Sequence, residues 1–80
     1  LKENIKSTEL ILSKFGLYVG VNKGKIIVKE YGKVIKKLPQ NQLSRIVILK
    51  KGITLSSTLI YECSQKKIDI DFIDRKEPYA

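Results

Sequence analysis

From Thr8 to Leu49, alternating apolar and polar residues divide the chain into short strands. Thr8–Ser13 carries Leu10, Ile11 and Leu12. Lys14–Phe15–Gly16 reads as a turn, since Gly16 takes positive φ without steric cost, and Leu17–Val21 returns from it as the second arm of a hairpin. Asn22–Lys23–Gly24 has the composition of a hairpin turn into Lys25–Tyr31, where Ile26 and Val28 share one face and Ile27 and Lys29 the other. Gly32–Lys33 turns the chain again, into Val34–Leu38. Pro39 cannot donate to a sheet ladder and ends that strand. After a connector at Gln40–Ser44, Arg45–Leu49 is apolar on both faces, as a strand covered on both sides requires, whether at the centre of the domain or at a dimer seam.

The period then changes. Ser56 or Ser57 is placed to cap a helix, Leu55, Leu59, Ile60 and Cys63 fall at helical spacing, and Lys66–Lys67 suits the negative end of the helix dipole. Ile68, Ile70 and Phe72 alternate with Asp69 and Asp71 in a last strand with one wet face. The predicted fold is α+β and mostly β: antiparallel hairpins in a sandwich-like sheet, with one helix near the C-terminal end. Leu1–Ser7 reads as a linker or extension, and residues 8–80 as one domain. The chain opens on Leu1 rather than Met and stops at Ala80, and is read as a fragment of a longer protein.

Charge adds a functional direction. Lys plus Arg total 16 against 8 Asp plus Glu, a net charge of +8. Nearly all the cations are Lys, which serves as a point charge on phosphate, whereas Arg is the better reader of base edges. The balance favours binding a nucleic-acid backbone, with an incidental Lys-rich surface as the alternative. One cysteine and no histidine exclude an internal disulfide, a Cys/His zinc site and a His-activated nucleophile. Cys63, on the helix stripe, is expected to be a buried core thiol. No apolar run approaches a membrane span and no signal-peptide pattern opens the chain, so no membrane partner and a cytoplasmic location are expected.

Lys50, Lys51, Thr54 and Ser56 precede the helix in a stretch where lysines, hydroxyls and a helix N-terminus converge, an arrangement suited to phosphate. It is not a P-loop, since the Gly–Lys–Ser/Thr order is missing, and the hydroxyls alternatively serve only as caps. Phe15, beside Lys14 at a turn, is either a wedge that parts a duplex or a ring folded back over the sheet. Asp69, Asp71 and Asp74 invite a metal reading, with Glu77 the one further acid nearby, but the alternation of a half-solvated strand accounts for the first two. Tyr18, Tyr31, Tyr61 and Tyr79 form no stacking motif and are expected at the core edge.

From Glu9 to Asp74 the order of these pieces resembles the N-terminal β domain of the CRISPR adaptation integrases. ELILSK with its Phe15–Gly16 tip and LYVGV match the family's opening hairpin, and IIVKEYGKVIKKLP matches the next two strands with Pro39. LSRIVILKKGITLS matches a buried strand running through Gly52 into a Ser-capped helix, and IDIDFID the last strand. Lys67 stands where the family often has Gly, and Asp69 and Asp71 make the last strand more polar than usual. The resemblance implies the N-terminal domain of a larger helical nuclease that integrates spacers into the CRISPR array, using Mg or Mn held by its following domain. Neither catalytic residues nor metal ligands would lie in this chain. Its share would be a homodimer contact and a basic floor for double-stranded or forked DNA, beside a small ferredoxin-like CRISPR partner protein. Phe15 would mark where the strands splay, with Lys14, Lys50, Lys51, Thr54 and Ser56 as further DNA contacts. The alternatives are a stand-alone basic nucleic-acid-binding β module and a protein-interaction domain without a DNA role.

Overall fold

A computed structural model describes residues 8–73 of the 80; the expected linker at 1–7, Asp74, Glu77 and Tyr79 lie outside the described residues. The elements are β1 (Thr8–Leu12), β2 (Leu17–Asn22), β3 (Lys25–Glu30), β4 (Lys33–Pro39), a 3₁₀ turn (Gln40–Gln42), β5 (Leu43–Ile48), β6 (Thr54–Leu55), α1 (Ser57–Gln65) and β7 (Asp69–Phe72). They form two sheets, a three-stranded one ordered β1-β5-β7 and a four-stranded one ordered β4-β3-β2-β6. The domain is mostly β with one helix near its C-terminal end, as the pattern predicts.

The first hairpin is a correction. β1 does not pair with β2; it lies parallel to β5, with Leu10 opposite Ile46 and Leu12 opposite Ile48, and β7 lies parallel to β5 on the other side. Local alternation cannot specify a partner, and Lys14–Gly16 carries the chain from one sheet to the other instead of folding it back. The meander β2-β3-β4 is antiparallel as expected. Its tight turns place Lys23 and Gly24, then Tyr31 and Gly32, at positive φ, the pairing a type I′ turn needs, so the second turn sits one residue earlier than its sequence suggested.

The core lies between the sheets. Leu10, Leu12, Ile46 and Ile48 face Leu17, Val19, Ile26, Val28 and Leu38, and α1 closes one end with Leu59 and Cys63. Ile60 departs from the expected stripe and is exposed. β5 is the central strand, and Val47 on its other face is buried too. Burial, reinforced by the charge of Glu62, pushes the Cys63 thiol above its ordinary range, as an inert core cysteine requires.

Ser56 caps α1: its Oγ accepts the Leu59 N–H at 3.0 Å. At the other end Lys67 takes the left-handed conformation (φ 58°), and the Ile68 N–H reaches the Cys63 carbonyl at 2.9 Å, closing a Schellman-type cap without glycine. Gln40, expected in a short connector, is only 3% exposed, and its amide nitrogen and oxygen make no hydrogen bond among the described residues.

Candidate nucleic-acid interface

The connection between β1 and β2 and the turn after β5 meet at one corner of the four-stranded sheet. The Gly16 N–H donates to the Gly52 carbonyl at 3.1 Å, tying the two loops together. The Phe15 ring lies directly on Gly52: a Cβ there would collide with Phe15 Cε1 and Cδ1, so a larger residue at this position would displace the ring. Phe15 is nonetheless 70% exposed. It stands on the surface, propped from below, and does not fold back into the core.

The remaining expected contacts divide. Lys50 and Lys51 are exposed in the turn beside Gly52 and form no ion pair among the described residues. Thr54 is exposed on β6, which pairs with β2 and so sits next to Tyr18. Lys14 is engaged by Glu30 at 3.0 Å, which offsets its charge locally. Ser56 has its Oγ committed to the helix cap and its N–H to the Val19 carbonyl at 2.9 Å. Phe15, Lys50, Lys51 and Thr54 therefore share one corner, with Lys14 and Ser56 behind it as structural members.

The acidic strand answers to an internal partner. Arg45 Nε sits 3.3 Å from an Asp71 carboxylate oxygen and 3.7 Å from Glu9, linking all three strands of the parallel sheet on its outer face. Among the described residues, no three His, Cys, Asp or Glu side chains come together as metal ligands would. No helix among them is long and apolar enough to cross a membrane.

The tyrosines correct the sequence reading. Tyr18, Tyr31 and Tyr61 are all exposed and not at the core edge. Tyr18 matters most, because its ring leans along β2 over Gly20, where a Cβ would come within 3.0 Å of it. The alternation that buries Leu17 and Val19 already puts Tyr18 on the opposite face; the neighbours that share this face could not be read without the register.

Comparison with known proteins gives this architecture a family. The family profile of the CRISPR associated protein Cas1 matches residues 10–80. The chain is 37% identical over 65 residues to the CRISPR-associated endonuclease Cas1 1 of Francisella tularensis subsp. novicida, covering 81% of this chain and 20% of that protein. It is 34% identical over 68 residues to its namesake from Pyrobaculum aerophilum, covering 85% and 22%. A chain of a partial Cas6-RT-Cas1–Cas2 complex superposes with a TM-score of 0.80 at 22% identity, over 91% of this chain and 22% of that one. The chain thus spans about a fifth of the length of these relatives. By the extent of the profile match and the identity to two endonucleases, the chain belongs to the Cas1 family and corresponds to its N-terminal domain.

Proposed function

We propose that this chain is the DNA-contacting and dimer-forming part of a metal-dependent CRISPR endonuclease that integrates spacers into the CRISPR array. The observation that carries the DNA reading is Phe15, exposed at a corner, held on Gly52 and flanked by Lys50 and Lys51. An exposed ring resting on a turn that carries two exposed lysines suits the end of a duplex, where the lysines take phosphate and the ring stacks on the last pair as the strands part. The Mg or Mn chemistry is assigned to the remainder of the protein, acting in the cytoplasm beside a small ferredoxin-like CRISPR partner. The Cas1–Cas2 composition of the structural neighbours supports a CRISPR partner protein.

The test compares a forked with a fully paired duplex in the full-length protein. Phe15→Ala is expected to abolish the preference for the fork and leave melting behaviour unchanged, since the ring is not in the core. Equal preference in both proteins would remove Phe15 from the splaying step.

For the homodimer, the fitting surface is the open side of the sandwich where β1 and β4 are edge strands. Ile11 and Ile35 are 56% and 53% exposed there, around a hollow of about 380 Å³ that reaches Leu12, Leu17 and Val28. Ile35→Asp is expected to convert the dimer to monomer in sedimentation; a dimer that survives it would place the seam elsewhere.

A further inference from the structure

The outer face of the four-stranded sheet is a second surface with the chemistry of a binding site. Strand register sets Thr54, Tyr18, Lys29 and Val34 side by side, a row that crosses all four strands. The next row holds Gly20, Ile27 and Lys37, and beyond it lie Asn22, Lys25 and Pro39. Because residue 20 is glycine, the Tyr18 ring lies low along the strand and keeps an exposed side. The Lys29 ammonium stands 6.0 Å from the ring centroid, at the outer limit of a cation–π contact. Between Tyr18, Asn22, Lys29, Val34 and Lys37 is a hollow of about 350 Å³, its floor formed by Ile27, which is 8% exposed although it faces away from the core.

We propose that this face binds single-stranded nucleic acid, with an unpaired base stacked on Tyr18 and the adjoining phosphates held by Lys29 and Lys37. The inference rests on the DNA-handling reading and extends it to a second element. A planar aromatic with two lysines and an apolar floor matches a ligand that is flat, π-rich and anionic in one repeating unit. No Asp or Glu occupies this face among the described residues, so a second copy laid against it would bring Lys25, Lys29 and Lys37 against their own equivalents. Charge therefore selects a polyanion over self-association. Continuity supports the same occupant: Thr54 begins the row two residues beyond Gly52, on which Phe15 rests, so the row that holds Tyr18 starts beside the corner that holds Phe15. Base stacking and phosphate contact are common to both polymers, and DNA and RNA strands are equivalent occupants.

The test uses the full-length protein with oligo(dT), oligo(rU) and a blunt duplex, read by fluorescence anisotropy, and an oligonucleotide carrying 5-iodouracil for crosslinking. Tyr18→Ala is expected to weaken both single strands about tenfold, within the range for losing one stacked base. Tyr18→Phe restores them, and blunt-duplex affinity stays within about twofold. Lys29→Ala with Lys37→Ala, which leaves the core untouched, lowers the salt slope for single strands by about 0.7 for each phosphate no longer neutralised. The crosslink maps to Tyr18. Unchanged single-strand affinity in Tyr18→Ala, equal losses on duplex and single strand, or a crosslink that maps away from this face would overturn the proposal. If fork preference persists in that case, the role of Phe15 stands; absence of all binding in the wild type overturns both.

Discussion

Gly52 holds two constraints at one atom. Its φ of 85° lies where side chains are strained, and the space above its Cα is filled by the Phe15 ring. The two effects act together in a substitution. Gly52→Ala introduces a Cβ that meets the ring and a backbone strain of about 1–2 kcal/mol. The expected result is a lower melting temperature together with loss of fork preference, although residue 52 need never touch DNA. Retained fork preference in this variant would mean that Phe15 acts without its prop. The sequence showed Gly52 within a family-like stretch and Phe15 at a turn, but not that one rests on the other, since 36 intervening residues must fold before the two loops meet.

At the scale of elements, sequence periodicity located nearly every strand and the helix, because burial on one face writes itself into alternation or a helical stripe. Partner choice was less visible. β1 carries the same Leu-Ile-Leu run whether it pairs with β2 or with β5, and only packing of both sheets selects the parallel arrangement. The Lys67 cap shows another limit: a lysine there hides a left-handed residue that glycine would have announced. Gln40 is the element-level surprise, a buried amide without a hydrogen bond among the described residues, in a stretch that the sequence marks only as a connector. An unsatisfied buried amide costs about 1–3 kcal/mol. Gln40→Leu, similar in volume and without that penalty, is expected to raise the denaturation midpoint without changing its slope. An unchanged or lower midpoint would show that the amide is satisfied in solution.

Across the whole molecule, the charge divides by surface. On the outer face of the parallel sheet Arg45 is outnumbered by Glu9 and Asp71, whereas the outer face of the four-stranded sheet carries lysines without carboxylates among the described residues, and at the Phe15 corner Lys50 and Lys51 stay unpaired while Glu30 engages only Lys14. Composition revealed the excess of +8 but not this segregation, which depends on strand register. The candidate site was thus half legible: Phe15, Lys50, Lys51 and Thr54 were read from local chemistry. Tyr18, Lys29 and Lys37 needed the fold to bring β2, β3 and β4 into register. An incidental basic surface would have no reason to place Lys50 and Lys51 beside an exposed, propped ring.

The most direct test of DNA handling is a salt titration of forked-duplex binding by the full-length protein, comparing wild type with Lys50→Ala/Lys51→Ala. If this corner holds the duplex, affinity falls and the slope of log K against log salt flattens by about 0.9 for each phosphate that the variant leaves unneutralised. An identical slope in the two proteins would take the corner out of the interface and contradict the account.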